Sequence, residues 1–148
     1  MTIDIAICDD DSKDLKSVVN ILGEIFAAHS DKYSLQSFHS ANDILEKVNK
    51  IDIAILDISM EEMNGIDLGR KLKMRFPEVS IIYMTNYEQY CMQAINEVHA
   101  FSFLCKPPRK AEVKKQLEDL VNKIKQSDNK VKKYFIGFLT AREKSIHL

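Results

Sequence analysis

Apolar residues fall along this chain in two alternating rhythms. Short runs that are apolar throughout, or that alternate residue by residue, predict strands: IDIAIC at 3–8, YSLQSF at 33–38, IAIL at 53–56, SIIYM at 80–84 and AFSFLC at 100–105. Between them, apolar residues recur at three- and four-residue steps, the signature of one helix face. Leu15, Val18, Val19, Leu22, Ile25 and Phe26 form the first such face. Ile44, Leu45 and Val48 form the second, opened by Ser40 and Asp43 in the manner of a capping box. Ile66, Gly69, Leu72 and Phe76 form a third, which Pro77 stops. Tyr90, Ala94, Ile95 and Val98 give a weaker fourth. Val113, Leu117, Leu120, Val121 and Ile124 give a fifth, entered through Pro107 and Pro108.

Five strand–helix units in strict alternation predict an α/β fold with a parallel sheet and helices on both faces. The first, third and fourth strands are almost continuously apolar and belong in the centre; the alternating second strand belongs at an edge. The expected architecture is an open, doubly wound five-stranded sheet. The rhythm breaks after the fifth helix. Residues 125–133 are polar and basic, as a linker is, and YFIGFLTAREKSIHL at 134–148 alternates like strand–turn–strand before the sequence stops. The expected division is therefore 1–126 for the main domain, 127–133 for the linker, and 134–148 for a short β-rich tail that begins something larger.

Composition narrows the class. The chain has 148 residues and is 45% hydrophobic, enough for one core-forming domain. A net charge of −1 argues against unspecific attraction to nucleic acid or anionic membrane. No apolar run reaches a membrane span, and the acidic start is not a signal peptide. Cys8, Cys91 and Cys105 are odd in number and form no CxxC pair, which fits free thiols in a reducing cytoplasm. His29, His39, His99 and His147 lack metal-ligand spacing, and no GxxxxGK[ST] phosphate loop occurs.

The candidate chemistry starts at Asp9, Asp10 and Asp11, three consecutive carboxylates directly after the first strand. Like charges at this spacing repel by several kcal/mol near a protein surface, about 4 at 4 Å. Solvation, a helix N-terminus or a bound cation could compensate. In doubly wound sheets, ligands bind beyond the carboxyl ends of the strands. Asp9 and Asp10, Asp57, Thr85 and Lys106 follow the first, third, fourth and fifth strands, so they converge on one crevice. Asp11, one step further out beside Ser12, is expected to cap the first helix. Carboxylates of this kind suit Mg²⁺, which answers the repulsion of Asp9 and Asp10. Asp57 is then a nucleophile beside a metal, with Thr85 and Lys106 placed to hold phosphoryl oxygens.

The acidic pair, ILDISMEEMNG around Asp57, YMTN with Thr85 and FLCKP with Lys106 together resemble the receiver domain of bacterial two-component response regulators. The resemblance runs from Ile3 to about Lys125. It implies a flavodoxin-like strand order 2-1-3-4-5. It implies that Asp57 accepts a phosphoryl group from a sensor histidine kinase, with Mg²⁺ held by Asp9, Asp10, Asp57 and the backbone carbonyl of Ser59. It also implies a cis Lys106–Pro107 bond, a loop glycine at Gly65, and a switch formed by Thr85 and Phe103, the latter without the hydroxyl often found there. Pairing through the fourth helix, fifth strand and fifth helix, favoured by phosphorylation, would give a homodimer.

The YEQYCMQAINEVHAFSFLCKP stretch and the tail resemble regulators with a LytTR-type DNA-binding output, of which only the first strands would be present. Lys130, Lys132 and Lys133 read as solvated linker rather than as phosphate contacts, because base-reading elements would lie beyond Leu148. Two other functions compete. A Mg²⁺-dependent phosphohydrolase with Asp57 as nucleophile would carry a second Asp two residues on, where this chain has Ser59. An interaction domain independent of phosphorylation would not need the intact five-residue set.

Overall fold

The fold was obtained as a computed structural model that describes residues 2–29, 32–86, 96 and 99–146. Five strands, β1 (Thr2–Cys8), β2 (Lys32–Phe38), β3 (Ile53–Asp57), β4 (Ser80–Thr85) and β5 (Ser102–Cys105), form one parallel sheet in the order β2-β1-β3-β4-β5. Among the described residues, the helices of more than one residue are α1 (Ser12–Ala27), α2 (Ala41–Lys47), α3 (Gly65–Arg75) and α4 (Lys110–Ile146). Of the helix expected around Tyr90, Ala94, Ile95 and Val98, Asn96 is described and is helical; Tyr90, Cys91, Ala94, Ile95 and Val98 lie outside the described residues. The chain divides into two compact units, Met1–Lys114 and Lys115–Leu148.

In the first unit, burial follows hydrophobic pattern. Every residue of β3 is buried, and β4 is buried from Ile81 onward. Edge strand β2 buries only Phe38 fully. Successive side chains of a strand point to opposite faces. Ala6, Cys8, Ala54, Leu56, Ile81 and Tyr83 therefore share one face, where they cluster with Ala41 and Ile44 of α2 and Ile66, Leu68 and Leu72 of α3. Ile5, Ile7, Ile53, Ile55, Ile82 and Met84 alternate to the other face. Helix α1 contacts β1 and β2 and buries Leu15, Val18, Leu22 and Ile25.

The starts of α1, α2 and α3 each have a polar cap. Asp11 accepts from the amides of Lys13 and Asp14 at 2.9 and 3.0 Å, and Ser40 accepts from Asp43 at 3.1 Å. Asn64 accepts from Ile66 at 2.8 Å. These bonds satisfy amides that the first helical turn leaves without partners. Helix α3 ends at Arg75, with Phe76 as its cap, because the residue before Pro77 is pushed out of the helical region.

The tail departs from its expected form. The backbone continues as helix α4 through the stretch read as a linker and through the stretch read as strand–turn–strand, to Ile146. The reason is local. A two-stranded hairpin is marginal without a third strand or a helix to cover it. Adding residues to an established helix needs no new nucleus, and this stretch contains no proline. In α4, Val113 lies in the first unit and Leu117, Leu120 and Val121 in the second; all four are buried. Among the described residues, no helix is long and apolar enough to cross a membrane.

Candidate functional site

Register places the polar residues together. Cys8 pairs with Leu56, Asp57 with Met84, and Thr85 with Cys105. Asp9, Asp57, Thr85 and Lys106 thus lie within a residue of one another along the carboxyl edge of β1, β3, β4 and β5. Asp9, Asp57 and Thr85 are the buried polar or charged residues among those described.

One ammonium organises the cluster. Lys106 Nζ, with its side chain only 8% exposed, lies 2.8 Å from Asp9 Oδ2, 3.1 Å from Asp57 Oδ1 and 3.0 Å from Asp14 Oδ2. Burial alone would lower the Lys106 pKa. Hydrogen bonds to Asp9, Asp14 and Asp57 more than offset that and carry it above the usual lysine range, so the ammonium stays charged. Asp57 is also shifted upward, which for an acid favours the neutral form: burial first, then the charge of Asp9, pushes it up to about 6, opposed by Lys106 and the Ser59 amide. It is ionised at neutral pH, at a cost. The Lys106–Pro107 bond is cis, and the Lys106 amide donates to the Thr85 carbonyl at 3.0 Å, tying β5's end to β4's.

Asp9, Asp10 and Asp57 each offer one carboxylate oxygen, and these atoms all lie within 4.8 Å of one another. A hard divalent cation that takes oxygen ligands fits such a donor set. Asp9 is also spent on structure: its Oδ1 accepts from the Asp11 amide at 3.0 Å. Asp10 is exposed, and its Oδ2 accepts from the Glu61 amide at 3.0 Å. A cleft lined by Asp10, His39, Ser40, Met60, Glu61 and Glu62 opens beside it. Ser59 is exposed at the start of the β3–α3 loop, and Phe103 on β5 is half-buried against the core. Asp11 is the α1 cap rather than part of the cluster.

Sequence reasoning missed two members. Asp14 reads as an ordinary first-turn acid, and only the tertiary fold brings it to Lys106. The Glu61 amide is a backbone group with no side-chain signal. Cys8, beneath the site, is no reactive thiol: burial, then Asp9 and the neighbouring carboxylates, pushes it up to about 12.

Residues 5–118 match the response regulator receiver domain family. The chain belongs to that family. The receiver is 34% identical over 83 residues to the transcriptional regulatory protein LytR of Staphylococcus aureus, covering 56% of this chain and 32% of LytR. It is 39% identical over 67 residues to the sensory transduction protein LytT of Bacillus anthracis, covering 44% of this chain and 27% of LytT. The chain thus spans about a third of the length of these relatives.

Solved receivers share the fold. The response regulatory domain of mrkE from Klebsiella pneumoniae superposes with a TM-score of 0.70 at 20% identity, covering 84% of this chain and 99% of that one. TrrA from Thermotoga maritima, solved in complex with Mg²⁺-BeF, superposes at 0.68 and 21% identity, covering 80% and 98%.

Proposed function

We propose that this receiver is the phosphoacceptor of a two-component system, taking a phosphoryl group on Asp57 from a sensor histidine kinase with Mg²⁺ as cofactor. The observation that carries the reading is the contact of one buried ammonium with both Asp9 and Asp57, beside carboxylate oxygens spaced for a divalent cation. Asp9, Asp10, Asp57 and the carbonyl of Ser59 would hold the ion, which neutralises charge on a transferring phosphoryl group.

Asp57 is the nucleophile. Its carboxylate oxygen bonds to phosphorus as the bond from phosphorus to the donor's imidazole nitrogen breaks, and that electron pair leaves with the nitrogen. The added group carries roughly −1.5 to −2 charge. Lys106 pairs with one of its oxygens, and the Thr85 hydroxyl donates to another. Phe103, on the strand beside Thr85, is the second switch position. The altered surface favours a homodimer and drives a LytTR-type DNA-binding output to regulate transcription in the cytoplasm. The LytR and LytT relatives support this output reading.

The test is intact-mass spectrometry after incubation with a small phosphodonor and Mg²⁺. Wild type should gain one phosphoryl group, and Asp57→Asn or added EDTA should prevent it. An unmodified wild type, or an equally modified Asp57→Asn, would overturn the assignment. Continuous release of phosphate by wild type at many turnovers would instead favour the phosphohydrolase reading.

A further inference from the structure

The geometry points to Asp14 as a charge brake on the site: its carboxylate engages Lys106 and opposes the arrival of an anion at Asp57. The inference rests on the phosphoacceptor reading above. An ammonium has three N–H donors and no acceptor. Here three carboxylates surround it, Asp9 at 2.8 Å, Asp14 at 3.0 Å and Asp57 at 3.1 Å. One positive charge therefore faces three negative ones before any phosphoryl group arrives.

The three acids are not equivalent. The side chains of Asp9 and Asp57 are 0% and 5% exposed, whereas that of Asp14 is 47% exposed. Asp9 and Asp57 need the ammonium, because burying a carboxylate without a partner is costly. Asp14 has water as an alternative partner. It is also held where it is: its amide donates to the Asp11 cap at 3.0 Å, fixing the first turn of α1. An acid in that turn also favours the helix dipole, but the dipole does not require contact with Lys106. Asp14 thus draws Lys106 toward α1 and adds repulsion against the incoming dianion. Removing its charge leaves Lys106 to the two buried acids and to the phosphoryl group.

The experiment measures beryllofluoride binding to the protein at saturating Mg²⁺ by titration calorimetry, with thermal melts to verify folding. Asp14→Asn and Asp14→Ser should each bind beryllofluoride roughly three- to tenfold more tightly than wild type, the range expected for one partly screened charge. Asp14→Glu, which keeps the charge, should stay near wild type. A gain of affinity is not what structural damage produces. If wild type binds and both neutral variants bind equally or more weakly, the brake is refuted while the phosphoacceptor reading stands. If wild type binds no beryllofluoride, that reading fails and the brake fails with it.

Discussion

Gly65 lies directly over the backbone carbonyl of Asp57. A Cβ built on it would collide with that carbonyl oxygen and approach Ile58 Cα to 2.8 Å. The Gly65 amide meanwhile donates to the Ile58 carbonyl at 2.9 Å. The start of α3 is thereby pinned to the end of β3 with no room for a side chain, and the Asp57 backbone is fixed by the same contact.

Gly65→Ala should therefore destabilise the fold by about 2–4 kcal/mol, because the atoms in the way are backbone and cannot rotate aside. Urea denaturation reads the loss. A variant within 0.5 kcal/mol of wild type, about the scatter for surface changes, would show that the close approach is not a constraint.

Asp57 makes the fold pH-dependent in a direction opposite to most carboxylates. Its pKa rises from 3.8 to about 6 on folding, through burial first and the Asp9 charge second. The folded chain then binds more protons than the unfolded one between those values. The stability this contributes is complete below about 4 and is lost as pH rises through about 6. Asp57→Asn has no charge to bury. In EDTA it should be more stable than wild type by about 1–3 kcal/mol at pH 7.5, with the gap shrinking toward pH 4.5. A gap that widens in acid would contradict the shift.

The Glu61 amide holds Asp10 Oδ2 at 3.0 Å and so orients an exposed carboxylate of the cluster. Glu61→Pro deletes that donor, while Glu61→Ala keeps it and removes only the side-chain charge. Mg²⁺ affinity by calorimetry should fall about three- to tenfold further in the proline variant than in the alanine one, as expected for losing one charge-assisted bond near solvent. Equal affinities would mean Asp10 orients itself.

Much of this architecture was legible in the residues. IAIL and SIIYM at the sheet centre are short, apolar and rich in β-branched residues, as strands buried on both faces are, and the residues that end such strands meet at one edge by topology. That is why Asp9, Asp57, Thr85 and Lys106 could be grouped from sequence. Asp14 could not, because a first-turn acid satisfies helix rules whether or not a lysine some ninety positions away reaches it. The tail misled for a related reason. YFIGFL carries both strand alternation and apolar residues that a helix accommodates, and the local pattern does not show that a preceding helix will propagate through it.

Helix α3 and strand β4 meet at a second glycine whose role can be isolated by a double-mutant cycle. Tyr83 is fully buried, its hydroxyl 3.4 Å from the Ile66 carbonyl, and a Cβ on Gly69 would collide with that hydroxyl and come within 3.3 Å of Ile81 Cδ1. Glycine inside a helix forfeits about 1 kcal/mol relative to alanine, and the close approach of Tyr83, with Ile81 beside it, accounts for its presence here. Gly69→Ala in wild type should cost about 2–3 kcal/mol through overpacking. Tyr83→Phe alone should cost about 1 kcal/mol, the net worth of one hydrogen bond. In the Tyr83→Phe background, Gly69→Ala should cost at most about 1 kcal/mol, because the colliding hydroxyl is gone and the helix gains propensity, while the ring Cζ at 3.0 Å and Ile81 Cδ1 at 3.3 Å still crowd the new methyl. The expected coupling is at least about 1 kcal/mol, within the range for residues in contact. Additive effects would place the strain elsewhere. Tyr83 sits two residues before Thr85 on the same face of β4, so a shift of α3 should also move Thr85. Amide chemical shifts at Thr85 should therefore change in Gly69→Ala and return toward wild type in the double variant.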